Sequence, residues 1–111
     1  MGGSAFRVLA PLDPARIEWT RGQPRCFEKT AESGNVRGLW FCADCGTHLV
    51  ALPPASSPSQ ATAEGAGAFG ALRVATSRDA AALVPKFELW CKSRQPWLPP
   101  FDSRVCFDGQ P

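Results

Sequence analysis

Phe41-Cys42-Ala43-Asp44-Cys45-Gly46-Thr47 is the stretch on which the reading of this fold turns. Two cysteines separated by two residues and followed by glycine make a C-x-x-C-G turn. Both thiolates of such a turn can point at one tetrahedral metal, and the glycine admits the tight backbone beneath the sulfurs. A thioredoxin-type C-x-x-C would instead open a helix inside a βαβ unit. The residues that follow, Gly46-Thr47-His48-Leu49-Val50, lead into an apolar run stopped by Pro53-Pro54. The order of residues favours half of a zinc site on a turn between two strands, with redox thiols or an incidental pair as the alternatives.

Outward from this turn the pattern is one of short strands. Val36–Cys42 is entered through Ser33-Gly34-Asn35, and Arg25–Lys29 precedes it as a further β run. Arg16-Ile17-Glu18-Trp19-Thr20 alternates polar and apolar as a half-buried strand does, and Phe6–Ala10 reads as a strand ending at Pro11. Downstream, Ala71–Thr76 resumes strand character, Asp79–Leu83 has the length of one helical turn, and Lys86–Lys92 alternates with Phe87 and Leu89 on one face. The tail from Gln95 is rich in Pro and aromatic residues and is expected to be irregular. Between Pro53 and Gly70 the chain is rich in Pro, Ser, Ala and Gly, the composition of a flexible surface loop. No segment has helical periodicity, so the expectation is a mainly β single domain over residues 1–111, a meander with a zinc knuckle and at most one short helix.

Composition narrows the function classes. The chain has 111 residues, enough for one domain with one modest core. Twelve Lys+Arg against ten Asp+Glu leave a formal charge of +2, too balanced for a nucleic-acid binder that relies on bulk electrostatics. Eleven Pro and ten Gly exclude long bundles and coiled coils. No apolar run reaches the roughly 20 residues of a membrane-spanning helix, and Met1–Arg7 lacks the pattern of a secretory signal. Five cysteines, an odd number, argue against a disulfide framework and for a reducing, cytoplasmic setting.

The chemistry-bearing residues are few. Structural zinc takes four ligands, so Cys42 and Cys45 need partners, and the remaining candidates are Cys26, Cys91, Cys106 and His48. Each of the three cysteines also reads as a small buried hydrophobe. His48, the only histidine, reads more simply as a polar residue on the solvent face of a strand, and Asp44 as an exposed residue between the thiols. There is no G-x-S-x-G. Gly65-Ala66-Gly67-Ala68-Phe69-Gly70 mimics a dinucleotide fingerprint but lacks the strand–helix frame. Trp40, Phe41, Phe87, Trp90 and Trp97 fit the filling of a small β core better than the lining of a pocket.

Three segments, taken in order, resemble one family. Met1-Gly2-Gly3-Ser4-Ala5-Phe6 is similar to the close of a C-x-C-x-x-C-R-x-x-[ST]-G-S-A-F stretch. Phe41–Thr47 resembles a hydrophobic-F-C-x-x-C-G-t knuckle, and Lys86-Phe87-Glu88-Leu89-Trp90-Cys91-Lys92-Ser93-Arg94-Gln95-Pro96-Trp97 resembles a P-x-h-x-W-x-x-S-R-x-P-W ending. Together they are similar to the glutathione-dependent formaldehyde-activating enzyme family, also called centromere-protein-V-like, with Pro53–Gly70 as an insertion.

The resemblance implies a tent-like, mainly β fold with two zinc sites. It implies a carbon–sulfur lyase activity, which joins glutathione and formaldehyde to S-hydroxymethylglutathione or reverses that step. Cys42 and Cys45 match the second half of its structural zinc site. The C-x-C partner pair and the three cysteines of the proposed catalytic site have no counterpart in the sequence, which begins Met1-Gly2-Gly3. The expectation is therefore an N-terminally truncated domain with an incomplete structural zinc site and impaired activity on a glutathione adduct. The alternative is a non-catalytic zinc-knuckle domain with a structural or protein-interaction role. Two copies sharing one zinc through their Cys42 and Cys45 would complete the site as a homodimer. No nucleic acid and no membrane partner is expected.

Overall fold

The structure is a computed structural model that describes residues 3–32, 34–54, 70–100 and 105–109. Its main body is a five-stranded antiparallel sheet made of β1 (Leu9–Leu12), β2 (Arg25–Thr30), β3 (Val36–Phe41), β4 (His48–Leu52) and β5 (Gly70–Arg73), in the order β1-β5-β4-β3-β2. A separate two-stranded parallel ladder pairs β6 (Phe87–Glu88) with β7 (Val105–Cys106). Helical structure among the described residues is limited to three-residue 3₁₀ turns, so the mainly β expectation holds. No helix among the described residues is long and apolar enough to cross a membrane.

The central meander β2-β3-β4 follows the sequence pattern closely. β2 and β3 pair without interruption from Arg25↔Phe41 to Thr30↔Val36. Their connection closes with Ala31 N–H donating to the Asn35 carbonyl (2.8 Å) and Gly34 N–H donating to the Ala31 carbonyl (2.9 Å). Gly34 has φ 87° there, a value that glycine adopts without a Cβ penalty. β3 and β4 pair with a register shift, since Trp40 faces Val50 while Phe41 faces His48. Leu49 is therefore the extra residue of a bulge on β4, directly after the cysteine turn.

Two strands differ from expectation for reasons visible in their pairing. β1 continues through Pro11 instead of stopping at it. The even positions face β5, as the Val74 N–H to Val8 carbonyl bond (3.1 Å) and the Ala10↔Leu72 and Leu12↔Gly70 pairs show. Pro11 thus turns its missing N–H to the open edge, where a strand tolerates proline. Arg16–Thr20, by contrast, is not a strand. Asp13 caps a 3₁₀ turn at Pro14–Arg16 by accepting from Ala15 N–H (3.0 Å), and Ile17–Thr20 then runs without a ladder partner among the described residues. Asp79–Leu83 supplies one 3₁₀ turn, Ala80–Ala82. The expected strand at Lys86–Lys92 shortens to Phe87–Glu88, because Trp90 adopts a left-handed conformation (φ 58°, ψ 38°) and turns the chain into a 3₁₀ turn at Cys91–Ser93.

The buried core consists of small and aliphatic groups. Val50, Leu52 and Val74 are its hydrophobic centre, Pro54 is fully buried, and Gly38 and Gly70 let neighbouring side chains close over the sheet. The aromatic residues do not fill it as expected. Phe87, Trp90 and Trp97 are 53%, 46% and 70% exposed. Trp40 and Phe41 are half-buried, with Trp40 stacked at a tilt against Trp19 at 6.1 Å. Residues 55–69 of the expected Pro53–Gly70 loop lie outside the described residues, while Pro54 and Gly70, on either side of them, are buried in the core.

Candidate metal centre and the adjoining groove

The two knuckle cysteines sit where the β3–β4 hairpin reverses. Cys42 N–H donates to the Thr47 carbonyl and Gly46 N–H to the Cys42 carbonyl, both at 2.9 Å, so the turn is closed by its own backbone. Gly46 has φ 76°, the left-handed value that makes glycine the fitting residue after the second cysteine. Cys45 is exposed and Cys42 half-buried. The Thr47 hydroxyl lies 3.0 Å from Cys45 Sγ. Hydrogen bonds from the Thr47 side chain first, then from its backbone and the Cys42 side chain, hold the Cys45 thiol below its ordinary pKa, against a smaller opposing effect of desolvation and Asp44. A lowered thiol is already part-way to the thiolate that a metal needs.

Two soft sulfur donors on one tight turn fit two corners of a tetrahedral zinc site. The described residues bring no third donor into that cluster: the His, Cys, Asp and Glu side chains that converge as a trio are Glu88, Cys91 and Cys106. His48 does not swing toward the knuckle. It is exposed at the start of β4 with Nδ1 3.4 Å from Arg73 Nη2. Cys26 lies opposite Trp40 on β2 and packs its sulfur over Gly38. Cys91 and Cys106 are joined as a disulfide, with Cα atoms 6.3 Å apart. One bridge is not a framework, but it corrects the reading of both residues as small buried hydrophobes, since Cys91 is half-buried and Cys106 exposed.

A groove opens beside the knuckle, and the residues that flank the turn, Phe41 and His48, both line it. Phe27, Leu39 and Trp40 supply apolar wall, and Arg73 joins His48 as its polar lining. Burial, and then the charge of Arg7, push the Arg73 guanidinium's pKa down. Arg73 stays protonated all the same, so it puts a positive charge on the groove lining beside His48, where an anion would be welcome. Nothing local in the sequence marks this pairing. It exists because β5 crosses back to pair with β4, bringing residue 73 beside residue 48.

A model of the glutathione-dependent formaldehyde-activating enzyme family matches residues 1–93. The chain belongs to that family. This is a family of zinc-binding proteins tied to glutathione and formaldehyde lyase chemistry, and the matched stretch includes the knuckle, the groove and the whole five-stranded sheet. No curated protein and no solved structure matches the chain. Arg94 and Cys106 lie beyond the matched residues.

Proposed function

We propose that these 111 residues form a zinc-binding scaffold of the family's carbon–sulfur lyase, with Cys42 and Cys45 holding a structural zinc and the adjoining groove taking a glutathione–formaldehyde adduct. What carries the reading is continuity: the residues on either side of the cysteine turn, Phe41 and His48, line the groove. A glutathione adduct has carboxylates for Arg73 and a thioether stem for the apolar wall of Phe27, Leu39 and Trp40. Bound zinc would tie the knuckle to further donors and add directly to folding free energy. Two thiols are half of a tetrahedral set, and a second copy's pair supplies the other half, so the expected assembly is a homodimer around a shared ion.

The C-x-C-x-x-C cluster to which the resemblance assigns catalysis has no counterpart among the 111 residues. The chain of this sequence is therefore expected to bind the adduct but to make or cleave it little faster than it forms unaided. What its own residues do is orient and desolvate: Arg73 and His48 fix the charged end, and the apolar wall excludes water from the stem.

Metal analysis of the purified protein, beside Cys42→Ser and Cys45→Ser, tests the zinc. The expectation is about half a zinc per chain, lost in either variant. One zinc per chain would replace the shared site with one completed inside the chain, and no zinc would overturn the scaffold reading. Titration calorimetry with S-alkylglutathione tests the groove, and Arg73→Met should weaken binding by about tenfold as a charge-assisted hydrogen bond is lost. A protein-interaction role without catalysis is the second reading, favoured by the exposure of Phe27 (53%) on edge strand β2. Retained zinc with no adduct binding at millimolar concentration would favour it.

A further inference from the structure

Outside the knuckle and its groove, four side chains from two strands and one turn converge. Arg94 Nη2 donates to Glu88 Oε2 at 3.1 Å, and the same nitrogen stands 3.5 Å from Cys91 Sγ and 3.4 Å from Cys106 Sγ. The Arg94 and Glu88 side chains are 21% and 17% exposed, so the ion pair is largely shielded and its geometry is held. Glu88, Cys91 and Cys106 place their donor atoms within 4.8 Å of one another, close enough for a metal ion. A guanidinium already stands against all three, however, and the two sulfurs are bonded to each other. The cation of this cluster is Arg94.

We propose that Cys91–Cys106 is an exchangeable disulfide whose reaction partner is a low-molecular-weight thiol of the glutathione class, with Arg94 as the positioning residue that stabilises the thiolate released. The inference stands apart from the lyase reading, since neither the knuckle nor the groove takes part. Cys106 is exposed and Cys91 half-buried, so Cys106 Sγ is the sulfur open to attack. An incoming thiolate R–S⁻ bonds to Cys106 Sγ, the S–S bond breaks, and its electron pair leaves on Cys91 Sγ. A second R–S⁻ then attacks the mixed disulfide at the R sulfur, giving R–S–S–R and a Cys106 thiolate, and the Cys91 and Cys106 thiolates take up through water the two protons that the attacking R–SH groups released. The sum is protein disulfide plus two R–SH to protein dithiol plus R–S–S–R, with the small thiol as reductant.

Arg94 acts through the difference between the two states. Against a neutral disulfide sulfur its N–H is a weak donor, whereas against a thiolate the same contact is charge-assisted and roughly twice as strong. Exchange is faster when the departing thiol is more acidic, and a guanidinium in contact makes it so. Glu88 holds Arg94 in place and shares its charge, which keeps the reduced site from being over-stabilised. The consequence for the fold is local. Apart from the disulfide, β7 is held to β6 by two residue pairs and by bonds such as Cys91 N–H to the Phe107 carbonyl (3.0 Å) and Phe107 N–H to the Glu88 carbonyl (2.9 Å). Reduction leaves that short parallel ladder, those backbone bonds and the Phe87–Phe107 edge contact to hold residues 105–109.

The test is intact-mass spectrometry of the full chain in glutathione redox buffers, with peptide mapping of the mixed disulfide and circular dichroism as the check on folding. Reduction of the native protein by millimolar glutathione, with the adduct trapped on Cys106, is the expected result. Arg94→Met should slow exchange about threefold, the effect of roughly one unit of leaving-thiol acidity at fractional Brønsted sensitivity. Arg94→Lys should restore part of the rate, and the pH at which the released Cys91 alkylates should rise in Arg94→Met. A disulfide reduced only after the protein unfolds would overturn the proposal. So would an Arg94→Met exchange rate and alkylation profile equal to the parent's, or a protein whose Cys91 and Cys106 stay reduced even in oxidised glutathione.

Discussion

Gly38→Ala is the most informative single change to the sheet. Gly38 is buried in β3, and a Cβ placed there would lie 3.0 Å from Cys26 Sγ, 3.2 Å from Trp40 Nε1 and 3.3 Å from the Pro53 carbonyl oxygen. Only the sulfur can move readily. The Trp40 ring is wedged against Trp19, and the Pro53 carbonyl belongs to backbone. Overpacking by one methyl in such a position costs about 1–3 kcal/mol. Against that, alanine removes the extra unfolded-state freedom of a strand glycine, a gain of about 0.5–1 kcal/mol. The net expectation is a loss of about 1–2 kcal/mol. In urea denaturation followed by tryptophan fluorescence this is a midpoint lowered by roughly 1 M for an m-value near 1.5 kcal/mol/M. A double-mutant cycle isolates the cause. Cys26→Ala in the Gly38→Ala background should remove the tightest contact and recover at least about 0.5 kcal/mol relative to its effect in the parent. Gly38→Ala as stable as the parent, or a Cys26→Ala effect equal in both backgrounds, would refute the packing argument.

Three further outcomes are expected. Gly46→Ala meets no neighbour within 4 Å, so its cost is purely the backbone strain of φ 76°, about 1–2 kcal/mol in urea denaturation of metal-free protein; an unchanged midpoint would remove the argument that the knuckle needs glycine. In metal-free protein, the pH profile of Cys45 iodoacetamide labelling should have its midpoint below that of a free cysteine, because hydrogen bonds from Thr47 favour the thiolate, and Thr47→Val should move it up; a midpoint at or above the free-cysteine value would count against the hydrogen bonds. Asp13→Ala should cost about 0.5–1 kcal/mol through loss of the bond from Ala15 N–H, and thermal melts showing no change would mean the cap is not formed in solution.

Much of the fold is legible in the sequence because its central strands carry local signals. Gly34 and Gly46 mark the two turns with φ 87° and 76°, and β4, after the second turn, alternates with Val50 and Leu52 buried as a half-buried sheet requires. What local pattern does not contain is partnership. Ile17–Thr20 alternates as well as any strand here but has no ladder partner among the described residues, and Pro11 reads as a stop although it sits on an edge that needs no N–H. The same holds for the sites. Cys42 and Cys45 are visible as a pair because they are adjacent in sequence. Arg73 beside His48, and Arg94 beside Cys106, are created by the path of the chain between them. Trp90 shows a third kind of limit, since a large side chain in a left-handed conformation follows from no propensity and ends a strand that alternation alone would extend.

The strand order has a temporal meaning. β2, β3 and β4 are consecutive hairpins and can zip together as soon as residue 52 is available, but β1, first in the chain, sits at the far edge and pairs only with β5. During synthesis β1 must therefore wait, its Ala10 and Leu12 amides unpaired, until residues 70–73 have emerged. Its docking is the step that pays the entropy of closing the longest loop in the sheet. Pulse-labelling hydrogen exchange should find β2–β4 amides protected before those of β1, and a chain cut short before Gly70 should form the meander while leaving its first strand open to proteases.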